Sequence, residues 1–233
     1  MKPVSAVIFD LDGVIVDSES RHVQAFLELF DEMGYGDRHG MDFTAYYGRS
    51  DRVFWRDFIA LHHPRQPIEE LLNLKQTRYL EIIRRDKPIF AAIPDLLLKL
   101  AARYPLAVAS GSSHAVIDEV LAMQPLRHFF TAVASVQDVP RGKPAPDVFL
   151  HAAKLLGVAP AECCVIEDAA AGVEAALAAG MLVIAITNTL PAGRLSRATR
   201  VVQRYEQIER LLLPRKPTKI ARSVGSASPS LHG

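Results

Sequence analysis

"VIFDLDGVIVDSE", Val7 to Glu19, runs a short apolar stretch straight into two aspartates, Asp10 and Asp12, with Gly13 directly behind them. Aspartate is a poor strand residue, and Asp followed by Gly marks a turn, so a strand here ends at about Phe9. Two aspartates with a single residue between them then come to the same face at the end of a buried strand. The rest of the chain decides what they do there.

Further apolar runs follow: "LAVAS" (106–110), "TAVAS" (131–135), "CCVIE" (163–167), "LVIAI" (182–186) and a weaker "RVVQ" (200–203). Each is short and rich in Val, Ile and Ala. Continuous apolarity, rather than alternation, suits strands covered on both faces. Helical patterns fall between them, around 95–103, 114–123, 146–156 and 169–179. That alternation predicts an α/β fold, a doubly wound, Rossmann-like parallel sheet.

One segment breaks the rhythm. From about Asp17 to Asp86 no strand pattern occurs, only helical ones such as "SRHVQAFLELFDEMG" and "IEELLNLKQTRYLEIIRR". Pro88 and Pro94 suit a hinge where the chain rejoins the sheet. The expected organisation is a catalytic core of 1–16 plus 89–213, an inserted α-helical cap domain over 17–88, and a flexible basic tail over 214–233. The tail carries four basic residues and no acidic one, which leaves the rest of the chain near −3 against a total of +1.

Composition is that of a globular protein, 49% apolar and 23% charged, and the near-neutral charge gives no reason to expect nucleic acid. No apolar run has the length of a membrane span, and the apolar stretch before Asp10 is too short for a secretory signal. Cys163 and Cys164 are adjacent within a strand and therefore point to opposite faces. They read as small core residues of a reducing, cytoplasmic protein rather than as a bridge or a metal site. A monomer or weak dimer is expected.

In an open α/β sheet, ligands bind outside the carboxyl ends of the strands. Asp10 and Asp12 leave the first strand there. Ser110, Gly111 and Ser112 end "LAVASGSS", Glu167 and Asp168 end "CCVIED", and Lys143 in "RGKPAPD" precedes a helix. Taken singly these are a turn, a loop, a helix start and a helix N-terminal charge pair. Together they converge on one rim. Clustered carboxylates repel unless a cation joins them, and hard oxygen ligands favour Mg²⁺. Lys143 and the amides of the Ser110–Gly111 turn supply positive charge for an anion beside it. A free carboxylate in line with such an anion is a phosphoryl-transfer arrangement, with Asp10 placed to attack phosphorus and Asp12 to move the proton.

"FDLDGVIVDSE", "VASGSS", "GKPAPD" and "VIEDAAAG" resemble the four successive motifs of the haloacid dehalogenase superfamily, over residues 4–213. The insertion after the first motif resembles the helical-cap subfamily, which holds phosphoglycolate phosphatase, sugar-phosphate phosphatases and β-phosphoglucomutase. The resemblance implies Asp10 as nucleophile and Mg²⁺ ligand, and Asp12 as general acid/base that also lends its backbone carbonyl to the metal. It implies Ser110 on the phosphoryl group, Lys143 balancing charge, and Glu167 and Asp168 completing the metal shell. Asp12 argues against the dehalogenases, which lack that aspartate, and against phosphonatases, which have a small residue there. Ala169 stands where the fourth motif usually has a serine, removing one hydrogen bond around the metal.

"YYGRSDR" (46–52) resembles the cap loop with which β-phosphoglucomutase grips a distal phosphate, giving Gly48, Arg49 and Ser50 a substrate-binding place. Asp51 occupies the expected arginine position. His22 and Lys75 fall where the mutase has a histidine and a lysine facing the site. By residue type alone, His22 reads as a half-buried helix residue and Lys75 as solvated. Gly111 and Ser112 complete the substrate-binding set. The expected function is a Mg²⁺-dependent phosphatase acting on a small phosphorylated metabolite. The alternatives are a β-phosphoglucomutase-type phosphotransferase and, below that, a binding module that accepts phosphate without turnover.

Overall fold

The computed structural model describes residues 3–46 and 50–213, so Gly48, Arg49 and the basic tail lie outside the described residues. Six strands, β1 (Ala6–Phe9), β2 (Leu106–Ser110), β3 (Ala132–Ser135), β4 (Cys163–Glu167), β5 (Leu182–Ile186) and β6 (Arg200–Val202), form one wholly parallel sheet. Their order is β3-β2-β1-β4-β5-β6. The order reverses at β1 and β4, so the crevice beyond their carboxyl ends is where this topology leaves room for a ligand.

Between β1 and the second strand the chain inserts α1 (Glu19–Glu32), α2 (Asp51–His62) and α3 (Ile68–Asp86). These helices bury their own aromatic cluster, including Phe26, Phe30, Phe54, Trp55 and Phe58. Arg78 of α3 reaches Glu28 and Glu32 of α1 at 3.0 and 2.6 Å and so ties the two helices together. The α2 and α3 helices end on His63 and Lys87 in the left-handed conformation, and Pro88 then bars continuation. The chain leaves and re-enters the sheet through two adjacent stretches. Val16 and Ile89 form an antiparallel bridge, Asp17 N–H donates to Pro88 C=O at 2.8 Å, and Phe90 N–H donates to Ile15 C=O at 3.1 Å.

The remaining helices cover the sheet. One face packs against α4 (Ile93–Ala101), α5 (His114–Met123) and α8 (Tyr205–Leu212), the other against α6 (Asp147–Leu156) and α7 (Ala170–Ala178). Covering both faces explains the unbroken apolar strands. Cys163 and Cys164 are free and buried, one in each apolar layer, as strand alternation requires. The helix expected over 95–103 begins earlier, at Ile93, because Pro94 sits in its first turn, where a missing N–H leaves no bond unmade. Pro94 therefore starts a helix instead of marking a hinge. No helix of the described residues is long and apolar enough to cross a membrane.

Candidate active site

The acidic rim is assembled from the ends of β1 and β4. Asp10 N–H donates to Ile166 C=O at 2.9 Å, which carries the ladder one residue past β1 and fixes where the Asp10 carboxylate emerges. Glu167 Oε2 accepts the N–H groups of Asp168 and Ala169, each at 2.8 Å, at the turn into α7. Two glycines make this crowding possible. A Cβ on Gly172 would stand 1.6 Å from Glu167 Oε1, and one on Gly13 would stand 1.7 Å from Asp168 Oδ2. Gly13 also holds φ +70°, a conformation glycine adopts without strain. Lys143, from the loop before α6, crosses the ring of Phe149 and places Nζ 2.6 Å from Asp10 Oδ1 and 2.7 Å from Glu167 Oε1.

Oxygens of Asp10, Glu167 and Asp168 lie within 4.8 Å of one another, and all three residues are buried. Burial raises the Asp10 pKa to about 7; Lys143 opposes the rise, while Glu167 and Asp12 add to it. Burial, with Glu167 and Asp10, likewise lifts Asp168 well above the usual carboxylate range. For Lys143 the charges of Asp10 and Glu167 outweigh the effect of burial and hold the ammonium above its ordinary value. Three hard oxygen donors with one neighbouring ammonium between them form a donor set that fits a divalent cation of the Mg²⁺ class.

Asp12 faces the other way, toward the helical insertion. Ser112 Oγ donates to its Oδ2 at 2.8 Å, Tyr79 OH lies 3.4 Å from its Oδ1, and His22 Nε2 stands 3.8 Å from the same oxygen. Burial works against the Asp12 charge, yet His22, Ser112 and Ser18 outweigh it and bring the carboxyl down to about 2. Asp10 and Asp12 are thus two carboxylates pushed in opposite directions by their surroundings. Gly111, Ser112 and Ser113 form the wall beside them. Ser110 is fully buried, and its hydroxyl accepts Ser112 N–H at 2.9 Å, closing the turn from behind.

The wall opposite is built by the insertion. Lys75 is not solvated: its residue is 1% exposed, which corrects the reading from residue type. Packing of α3 against α1 and α2 places its ammonium about 5 Å above the rings of Phe26 and Tyr79, hydrogen-bonded to His22 Nδ1 and 2.8 Å from Asp51 Oδ2. An ammonium only donates, so His22 Nδ1 accepts and the ring proton sits on Nε2, toward Asp12. The His22 ring stacks on Tyr79 with centroids 4.0 Å apart. Arg52 points away to Glu69, in a bidentate pair at 2.8 and 3.0 Å. Between the two walls lies a cavity of about 660 Å³ that also reaches Ser50, Glu19 and Gln76.

A family profile for haloacid dehalogenase-like hydrolases matches residues 4–180. The chain belongs to the haloacid dehalogenase-like hydrolase family. It is 35% identical over 179 residues to fructose-1-phosphate phosphatase YqaB of Escherichia coli, covering 76% of this chain and 93% of that one. It is 28% identical over 204 residues to the β-phosphoglucomutase of Bacillus subtilis, covering 81% and 85%. Among solved structures, the β-phosphoglucomutase of Clostridium difficile superposes with a TM-score of 0.74 at 26% identity, covering 88% of this chain and 93% of that one.

Within this haloacid dehalogenase-like hydrolase, Asp10, Asp12, Lys143, Glu167 and Asp168 meet at one rim, and His22, Ser50, Lys75, Gly111 and Ser112 line the cavity beyond it. Thr189, in the loop after β5, hydrogen-bonds Asp168 and crowds the space beside Gly13. Reading by motif misses Thr189, Tyr79 and Glu19. Only "DSE" hints at the last of these, whose carboxyl is raised by burial where it lines the cavity.

Proposed function

We propose that the protein is a Mg²⁺-dependent phosphatase that hydrolyses small phosphorylated metabolites, sugar phosphates or similar monoesters, through an aspartyl-phosphate on Asp10. Asp10, Glu167 and Asp168 would hold the cation, with the Asp12 backbone carbonyl. When bound, it supplies positive charge for the phosphoryl oxygens. The carrying observation is the pair Asp10 and Asp12, two residues apart on one strand end, one among the metal-type donors and the other facing the cavity.

In the first step an Asp10 oxygen attacks phosphorus, the ester P–O bond breaks, and Asp12 gives its proton to the departing alkoxide. A phosphoryl anion arriving beside Asp12 raises that carboxylate's proton affinity, so a group that rests ionised takes up a proton from solvent as the substrate binds and has it to give when the ester bond breaks. In the second step Asp12 takes a proton from water, the water oxygen attacks phosphorus, the bond to Asp10 breaks, and inorganic phosphate leaves. Lys143 and the Ser110–Gly111 turn stabilise the charge on the phosphoryl oxygens.

The cavity wall favours hydrolysis over mutase chemistry. A mutase must grip a second phosphate, which suits a bidentate arginine. Here Asp51 takes that position and occupies the Lys75 ammonium, and Arg52 is engaged by Glu69. The relative named for fructose-1-phosphate phosphatase supports the same substrate class. We also propose a core of 1–16 and 89–213 and a cap of 17–88 that hinge at the paired stretches around Val16 and Ile89, in a cytoplasmic monomer or weak dimer. The test supplies β-glucose 1-phosphate with a trace of the 1,6-bisphosphate and follows both products. Inorganic phosphate as the main product supports the phosphatase; glucose 6-phosphate appearing much faster overturns it.

A further inference from the structure

The turn that follows β3 holds the phosphate-side loop by a connected set of hydrogen bonds. Ser110 and Ser135 are register partners at the ends of β2 and β3. Ser135, fully buried, donates Oγ–H to the carbonyl of Ser112 at 2.7 Å and accepts Gln137 N–H at 3.1 Å. Asp138 accepts Ser135 N–H at 2.8 Å and lies 2.9 Å from His114 Nε2. Gln137 Oε1 accepts His114 N–H at 2.9 Å, taking the capping role at the start of α5 that the Ser113 side chain leaves unfilled.

Ser112 is therefore pinned at three points. Its N–H bonds Ser110 Oγ, its carbonyl is held by Ser135, and its own Oγ donates to Asp12 Oδ2 at 2.8 Å. A hydroxyl that orients a carboxylate does so only as well as its own backbone is fixed. We infer that Ser135, supported by Gln137 and Asp138, is a positioning residue for Asp12: through Ser112 it fixes the carboxyl that must meet the leaving oxygen. The inference rests on the reading of Asp12 as proton donor. Ser135 touches no substrate atom and works only through Ser112.

Leaving groups separate this role from general support of the fold. An alkoxide must be protonated as it departs, whereas p-nitrophenolate leaves without help. We would measure kcat/KM, with Mg²⁺, on an alkyl phosphomonoester such as fructose 1-phosphate and on p-nitrophenyl phosphate for each variant. The ratio of the two, taken on one sample, does not depend on the fraction folded. Ser135→Ala is expected to lower the alkyl value about tenfold more than the aryl value, and Ser135→Thr, which restores the hydroxyl, to return the ratio toward wild type. Asp12→Ala should show the same split, enlarged. Equal losses on both esters in Ser135→Ala, with the split present in Asp12→Ala, overturn the positioning role alone. Equal losses in Asp12→Ala overturn the proton-donor reading and this inference with it. If Ser135→Ala does not fold, Asp138→Ala, which removes the carboxylate that accepts Ser135 N–H at an exposed position, carries the same test.

Discussion

The ammonium of Lys143 lies 2.6 Å from the carboxylate of Asp10, and it shares that contact with Glu167 at 2.7 Å. One cation thus neutralises part of a three-carboxylate cluster and stands where phosphoryl oxygens would arrive. Lys143→Met keeps the bulk over Phe149 but removes the charge. We expect kcat to fall on the order of a hundredfold, measured as phosphate release under saturating substrate. Retention of wild-type kcat would separate Lys143 from the reaction.

Metal binding has a readout besides activity. If Asp10, Glu167 and Asp168 hold Mg²⁺, the ion stabilises the folded chain by about 2.7 kcal/mol at a hundred times its Kd. That moves Tm up by roughly 5–10 °C for a chain of this length, and EDTA should reverse it. Asp168→Asn should abolish the Mg²⁺-dependent shift. It should leave the metal-free Tm unchanged or higher, because it removes one of three mutually repelling carboxylates. An undiminished shift in Asp168→Asn would exclude Asp168 as a ligand.

On the proposed function, Asp51 would set which esters the cavity admits. In Asp51→Asn the buried Lys75 loses its charged partner and one negative charge leaves the wall. Turnover of a sugar bisphosphate relative to the monophosphate should rise about tenfold, which corresponds to roughly 1.4 kcal/mol. Comparing kcat/KM on the two substrates checks this. An unchanged ratio would place charge selection elsewhere on the wall.

The cysteines should be inert in the native chain. Burial, with Glu162 nearby, raises Cys163 to about 11, and burial raises Cys164 to about 12. Thiolate is the reactive form, so at pH 8 only about one Cys163 in a thousand is ionised. A thiol-specific chromogenic reagent should label neither in native protein and both after denaturation. Fast native labelling would contradict the packing of β4.

The sheet was legible because its strands are buried on both faces, which leaves unbroken Val, Ile and Ala runs with clear ends. The rim was legible because its acidic residues follow those strands directly, so position in sequence fixes position in space; Lys143 reaches it from the loop before α6. The opposite wall was not. Whether Lys75 meets water depends on how α3 lies against α1 and α2, and its ion pair with Asp51 joins residues from different helices. Periodicity describes each helix alone and says nothing of that packing. Ser135 escaped for another reason. It ends "TAVAS" as Ser110 ends "LAVAS", but its bond goes to a backbone carbonyl, which no motif records. The register of β2 with β3 was the signal that could have found it.

The stereochemical course at phosphorus tests most directly whether Asp10 is the nucleophile. An ester whose phosphoryl oxygens are made chiral with oxygen isotopes, hydrolysed in isotopically labelled water, yields phosphate whose configuration can be read. Transfer to Asp10 and then to water inverts phosphorus twice, so net retention is the expected result. Net inversion would mean that water attacks the ester directly and would contradict the aspartyl-phosphate.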